Sequence, residues 1–246
     1  PKIPRVKTTL DAVLQQRAHD LLLKRLEDLK NQNVHEAAAL ILDHQAGTVL
    51  AWTSVSTRPE KMGAYDAVIV PRQPGSTLKP FLYAMALEKG WTAATMIEDT
   101  PMMAGVGSGQ HNYRNYSRTY YGPLRLRQCL GNSLNTPAVR TAQFVTPLAL
   151  LNKLRTMGFS TLEQTAEFYG EGLALGSAEV TLWDLTRAYA MLARRGQLRD
   201  FYFLESQSHL PNTHYRNIFA PEITDVIGDI LSDNQARSLE FGATGL

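Results

Sequence analysis

The sequence predicts a mixed α/β (α+β) protein in which helix dominates. Three observations carry that expectation. Apolar residues recur at helical spacing through most of the chain, one pair of β-rich runs flanks a turn, and proline or glycine separates several of the segments. The chain has 246 residues, 44% of them hydrophobic and 20% charged. That is enough for one large domain or two small ones, with the composition of an ordinary globular core.

The elements follow in order. In "LDAVLQQRAHDLLLKRLEDLK" (10–30) the residues Leu10, Val13, Leu14, Ala18, Leu21, Leu22, Leu26 and Leu29 form a helical stripe, and Asp11, after Thr8 and Thr9, suits a helix start. "EAAALILDHQAGTVLAWTSV" (36–55) reads as a hairpin with Gly47 in its turn. Residues 76–90 read as a helix that ends at Gly90. Residues 101–122, "PMMAGVGSGQHNYRNYSRTYYG", carry Gly, Asn, Ser and four tyrosines with no period, and a long loop is expected there. Helical patterns follow near 123–132, 136–145, 147–157, 181–195 and 221–233, and "RDFYFLE" (199–205) reads as a strand. A two-stranded sheet is marginal alone, so either helices cover the hairpin or further strands complete it.

Several function classes find no support. Net charge is +2 with scattered basic residues, which gives no footprint for a nucleic-acid partner. No run approaches the ~18 apolar residues of a membrane span, and no signal peptide is expected within these residues. The opening "PKIPRVKTTLD" reads as an internal boundary, so any anchor or address is expected outside these residues. The single cysteine, Cys129, allows no internal disulfide and is expected to be a buried structural residue. The six histidines lack H-x-x-x-H or H-E-x-x-H spacing, so no metal site is expected. Gly172 and Gly176 in "GEGLALG" follow no strand-turn-helix pattern, so no nucleotide cofactor is expected. Trp52, Trp91 and Trp183 sit in apolar patterns and are expected in the core.

The stretch richest in chemistry is "RQPGSTLKPF" (72–81). Ser76 before an apolar run suits a helix cap. A phosphate cradle needs G-x-x-x-x-G-K-[ST], which this order does not give. The remaining reading is a nucleophile with its base. Positions i and i+3 share a helix face, so Lys79 can reach Ser76. A serine at a helix N-terminus lies beside free N–H groups that can stabilise an oxyanion. The lysine must be neutral to take the proton, which lowers its pKa from ~10.4 toward about 7–8, a shift that burial can supply. Leu78, Pro80, Phe81 and Leu82 are expected to help exclude water, and Pro80 pins the helix start near Ser76.

Ser-x-x-Lys together with Ser-x-Asn and Lys-Thr-Gly is the signature of penicillin-binding and β-lactamase serine enzymes. Two Ser-x-Asn triplets occur: Ser133 and Asn135 in "GNSLNTPAV", and Ser232 and Asn234 in "LSDNQ". The first lies between two helical segments with Gly131 before it and Pro137 after it, and is preferred. The second follows a helical stripe, where Ser and Asp are routine end residues.

"RQPGSTLKPFLYAMALEKG", "GPLRLRQCLGNSLNTPAV" and "ALGSAEVTLWDLTRAYAMLARRG" together resemble the transpeptidase domain of class A penicillin-binding proteins, most of all the 1C type. "VKTTLDAVLQQRA" resembles the start of that domain, and "ILSDNQARSLEFG" the stretch before its third motif. The resemblance implies a mixed sheet flanked by helices plus an all-helical lobe, with the site in a cleft between lobes. It implies one domain over 1–246, with residues 1–90 holding the first helix, hairpin and nucleophile helix, 91–195 a mostly helical lobe, and 196–246 a return toward the sheet.

It also implies roles. Ser76 is the acylated nucleophile, Lys79 its base, Ser133 a proton relay, and Asn135 a hydrogen-bond partner of the substrate backbone. The substrate is the D-Ala-D-Ala end of a peptidoglycan stem peptide, β-lactams are covalent inhibitors, and no cofactor is required. The location implied is the bacterial periplasm or the outer face of the cytoplasmic membrane. The match breaks at Lys-Thr/Ser-Gly, which no triplet here provides. "GATGL" (242–246) offers only a chance echo at 243–245. The third motif and three sheet strands are therefore expected to be missing, leaving this stretch alone inactive or nearly so. Two rivals remain: a β-lactamase or D,D-carboxypeptidase, for which Glu167 or Glu171 would have to serve as deacylating base, and a non-catalytic cell-wall scaffold. In the tyrosine-rich stretch, Tyr113, Tyr116, Tyr120 and Tyr121 are candidates to line a groove, with Gln110, His111 and Asn115 as candidate polar contacts.

Overall fold

The computed structural model describes residues 5–58, 65–106, 109–207 and 215–242. The chain divides into two compact units, one of residues 1–71 with 181–217, the other of residues 72–180 with 218–246.

The first unit is built on a hairpin. Strand β1 (Glu36–Asp43) pairs antiparallel with β2 (Thr48–Ser56), and Gly47 takes the left-handed turn position at φ 75°. Helix α1 (Ala12–Asp28) starts where Asp11 accepts a hydrogen bond from the Leu14 N–H at 2.9 Å. Gln15 then clamps β2 with its amide, donating to the Trp52 carbonyl at 2.7 Å and accepting from the Trp52 N–H at 2.8 Å. Of the apolar stripe on α1, only Ala18 and Leu26 are buried, while Val13 and Leu21 are exposed.

Helix α7 (Leu182–Ala193) packs on β1, and β7 (Gln197–Arg199) pairs with β8 (Tyr215–Asn217). Val49, Ala190 and Phe201 form a buried cluster, against which Trp52 and Trp183 pack. The two tryptophans are half-buried rather than fully enclosed, with ring centroids 5.5 Å apart. The strand expected at 199–205 is shorter and earlier: after β7, only Tyr202 and Leu204 make single bridges, to Thr48 and Thr8.

The second unit carries α2 (Lys79–Glu88), entered through a 3₁₀ turn, Gly75–Leu78. All residues from Lys79 to Leu87 are buried, the apolar ones together with Lys79 at the start and Tyr83 in the middle. Around it lie α3 (Leu126–Gly131), α4 (Asn135–Val145), α5 (Pro147–Thr156), the short α6 (Ala166–Tyr169), α8 (Pro221–Ser232) and α9 (Ser238–Phe241). Trp91 is half-buried and stacks on Phe144 at 4.3 Å. Cys129 is fully buried, as expected.

The stretch expected as a long loop holds β-structure instead. Strand β4 (Met102–Val106) pairs with β5 (Gly109–Tyr113), and β3 (Met96–Asp99) pairs with β6 (Gly122–Arg125). Among the described residues four two-stranded ladders are thus present where the pattern showed one hairpin. The reason is compositional. Gly, Asn and Pro are poor strand formers, so backbone pairing holds these ladders without an alternating apolar face to advertise them. For the same reason the helical pattern near 123–132 starts only at Leu126, after β6.

Phe81 is fully buried on α2 and meets Phe159 edge-on at 6.2 Å. Phe81→Ala is expected to lower unfolding free energy by about 3–5 kcal/mol, read by urea denaturation.

Candidate active site

Each candidate side chain sits at the end of a helix in the second unit. Ser76 lies in the 3₁₀ turn and is exposed. In such a turn residues i and i+3 eclipse, which brings Lys79 onto the face of Ser76. The Lys79 N–H closes the turn by donating to the Ser76 carbonyl. Pro80 follows in the first turn of α2, where its missing N–H costs nothing.

Two left-handed glycines shape the approach. Gly75 has φ +58° and Gly176 φ +74°. A Cβ on Gly176 would fall 2.2 Å from the Gly75 carbonyl oxygen and 2.4 Å from its nitrogen. Only hydrogen fits there, so the 3₁₀ segment Gly170–Leu175 and its glycine cap seat directly on the turn that presents Ser76. Arg72 secures the same approach through its backbone, pairing with Val180 at 2.9 and 2.8 Å. A cavity of about 480 Å³ opens beside Gly75, lined by Gln73, Tyr113, Phe168, Tyr169 and Leu175 among others.

Lys79 is 1% exposed. Its amine donates to the Ser133 carbonyl at 2.5 Å, to Asn135 Oδ1 at 2.7 Å and to Ser133 Oγ at 3.3 Å. Burial pushes its pKa down to about 7, because water no longer solvates the charged form. Of its three partners, only the hydroxyl can reverse and donate to a neutral amine; the two carbonyl-type oxygens can only accept.

Ser133 and Asn135 reach Lys79 through a tight connection between α3 and α4. The Ser133 N–H donates to the Leu130 carbonyl at 2.9 Å and the Leu134 N–H to the Cys129 carbonyl at 3.0 Å. That pair of bonds is a Schellman closure, whose left-handed residue is usually glycine. Here it is Ser133, at φ +54°. Asn135 opens α4, and its Nδ2 donates to the Arg114 carbonyl at 2.8 Å, leaving a second amide hydrogen.

The structure therefore brings Lys79, Ser133 and Asn135 into contact. Ser76 stands one turn before Lys79, and no hydrogen bond reaches its Oγ among the described residues. The other triplet is elsewhere: Ser232 ends α8 and donates to the Asp229 carbonyl at 3.1 Å. Glu167 serves its own helix, its carboxylate lowered by the local backbone N–H and the Thr165 hydroxyl. Glu171 lies close enough to Tyr113 to raise that phenol's pKa, after burial. Tyr116 is exposed, and Tyr121 donates to Glu240 at 3.1 Å. The 243–245 triplet and the side chains of Gln110 and His111 lie outside the described residues.

Two residues behind the site carry no motif. Asp99 and Thr136 are fully buried, and Thr136 Oγ1 donates to Asp99. Asn115, weighed only as a polar contact, is 3% exposed and joined to both. One sign of such a partner was available: α4 starts after Leu134, which has no side-chain acceptor to cap it.

A Ser-x-x-Lys turn whose lysine meets a Ser-x-Asn turn defines the class of penicillin-binding and β-lactamase serine enzymes. The chain belongs to the penicillin binding protein transpeptidase domain family, whose model matches residues 37–239. Penicillin-binding protein 1C of Escherichia coli is 32% identical over 201 residues, covering 80% of this chain and 25% of that protein. Penicillin-binding protein 1A of the same organism is 38% identical over 135 residues, covering 54% of this chain and 16% of that protein. The chain thus spans a quarter or less of these relatives' length.

Among solved structures, penicillin-binding protein PonA1 of Mycobacterium tuberculosis has TM-score 0.77 at 21% identity, covering 92% of this chain and 62% of that one. Its complex with penicillin V gives TM-score 0.73 at 20% identity, with the same coverage. Penicillin-binding protein 1A of Haemophilus influenzae gives TM-score 0.70 at 25% identity, covering 82% of this chain and 35% of that one. The fold is therefore the α/β fold of penicillin-binding transpeptidases.

The left-handed Ser133 generates a comparison of two variants. Ser133→Gly is expected to be more stable than Ser133→Ala by about 1 kcal/mol, because only the alanine keeps a Cβ in the left-handed region. Thermal or urea unfolding of the pair measures the difference.

Proposed function

We propose that this chain carries the acyl-transfer site of a peptidoglycan D,D-transpeptidase. The observation that supports it best is Lys79: a buried amine near neutrality, one turn after Ser76 and in contact with Ser133 and Asn135. A base with pKa about 7 is half deprotonated at neutral pH, where a free lysine is almost wholly charged.

In this reading Ser76 Oγ attacks the carbonyl carbon of the penultimate D-Ala of a stem peptide. Its proton passes to Lys79 Nζ. The carbon–nitrogen bond breaks, and the proton reaches the departing D-Ala amine by way of the Ser133 hydroxyl. The product is a Ser76 ester, and the amine of a second stem displaces the serine to form the cross-link. In this reading the N–H groups at the start of the 3₁₀ turn that carries Ser76 stabilise the developing oxyanion. The spare Asn135 amide hydrogen binds the substrate backbone. β-Lactams acylate the same serine and remain attached.

The substrate places the working protein on the outer side of the cytoplasmic membrane or in the periplasm. Among the described residues no helix is long and apolar enough to cross a membrane. Residues 1–246 contain no Lys-Thr/Ser-Gly triplet to bind the substrate carboxylate. This stretch alone is therefore expected to acylate slowly or not at all, and a natural polypeptide that also carries the triplet to acylate readily.

Fluorescent penicillin tests the reading on a polypeptide that carries the triplet. A stable adduct lost in Ser76→Ala supports the transpeptidase. Rapid release of the label would instead indicate a hydrolase, and no adduct a scaffold. The labelling rate is expected to rise with pH and reach half its maximum near 7, because Lys79 must lose its proton before it can accept one. A rate that is flat from pH 5 to 9 would remove Lys79 as the base.

A further inference from the structure

We infer that Asn115, held by the buried carboxylate of Asp99, is a positioning residue that caps helix α4 from outside and so fixes where Asn135 meets Lys79. Its functional half rests on the acyl-transfer reading above; its structural half does not.

The first N–H groups of any helix lack intrahelical acceptors. In α4 the preceding residue is Leu134, which supplies no side-chain acceptor. Asn115 Oδ1 takes that place, accepting from the Asn135 N–H at 2.8 Å and the Thr136 N–H at 3.4 Å. The cap thus comes from a segment some twenty residues earlier, not from the local sequence.

Asp99 decides which way the Asn115 amide points. A carboxylate only accepts, whereas an amide has one accepting and one donating end. Asn115 Nδ2 donates to Asp99 Oδ1 and Oδ2 at 2.8 and 2.9 Å, and to the Thr119 carbonyl at 2.8 Å. Its oxygen is then left facing the start of α4. Asp99 also accepts from the Tyr121 N–H at 2.9 Å and from Thr136 Oγ1. A fully buried carboxylate needs such donors, and here all of them are neutral.

The anchor itself is firm. Asp99 ends β3 and pairs in register with Gly122 of β6. The adjacent Arg114 carbonyl takes the Asn135 side-chain amide, so one short segment holds both the backbone and the side chain of Asn135. With its NH₂ held there, Asn135 must turn its oxygen to Lys79. A chain of direct hydrogen bonds thus runs from Asp99 through Asn115 and Asn135 to the lysine amine.

The test uses the natural polypeptide with Asn115→Ala, read in two ways. Amide hydrogen exchange at Asn135 and Thr136 is expected to quicken at least about tenfold, with the middle of α4 unchanged. The limiting rate of acylation by fluorescent penicillin is expected to fall about tenfold to a hundredfold, the cost of a small misplacement at a reacting centre. Unchanged exchange overturns the cap. Quickened exchange with an unchanged limiting rate overturns the positioning role. If Asn115→Ala does not fold, Thr136→Val and Thr136→Ser ask the same question, because only serine keeps a hydroxyl on Asp99. A limiting rate lowered in valine and retained in serine supports the inference, and equal rates overturn it. A wild-type protein that takes no label at all sinks the acyl-transfer reading, and the exchange result then still decides the cap.

Discussion

Removing water from an amine makes its neutral form accessible, and the second unit is arranged to do that to Lys79. The residue begins a helix whose whole first two turns are buried, so the ammonium cannot reach solvent along its own element. Three oxygens from the 133–135 turn replace water around it. Two of them fix its place, and the third, a hydroxyl, can exchange a proton with it. A surface lysine with the same neighbours in sequence would hold its charge and have no comparable chemistry.

The site is assembled from the ends of elements. Ser76 lies in the turn that enters α2, Lys79 is the first residue of that helix, Ser133 closes α3 and Asn135 opens α4. Helix ends are where backbone groups lack partners, so they can face a substrate without breaking a ladder. Such ends are weak points, and here rigid features brace them. Gly176 leaves no room beside Gly75, and the buried body of α2 anchors the turn behind it.

Much of this was legible in the residues. Apolar periodicity located the long helices to within a few positions, because burying a stripe requires that spacing. Asp11 and Gly47 marked a helix start and a hairpin turn, since each satisfies a local need by itself. Ser-x-x-Lys and the Ser-x-Asn that meets its lysine stood out because spacing and flanking turn residues set where such side chains can point. What escaped was whatever depends on distant partners. The ladder of β3 and β6 alternates in burial but not in apolar residues, since Asp99 fills a buried position, so the pairing is not announced by a hydrophobic pattern. Asn115 and Asp99 look like ordinary polar residues in a loop and at a strand end, and their work appears only when α4 is brought beside them.

The serine that ends α3 is held by its backbone, not by its choice of rotamer. That has a consequence for what else position 133 can be. Threonine offers the same hydroxyl, yet its branched Cβ crowds a left-handed backbone, whereas asparagine tolerates it. Chemical likeness and conformational fit therefore rank the replacements in opposite orders, and a hydroxyl count alone would misjudge which relatives can keep this turn.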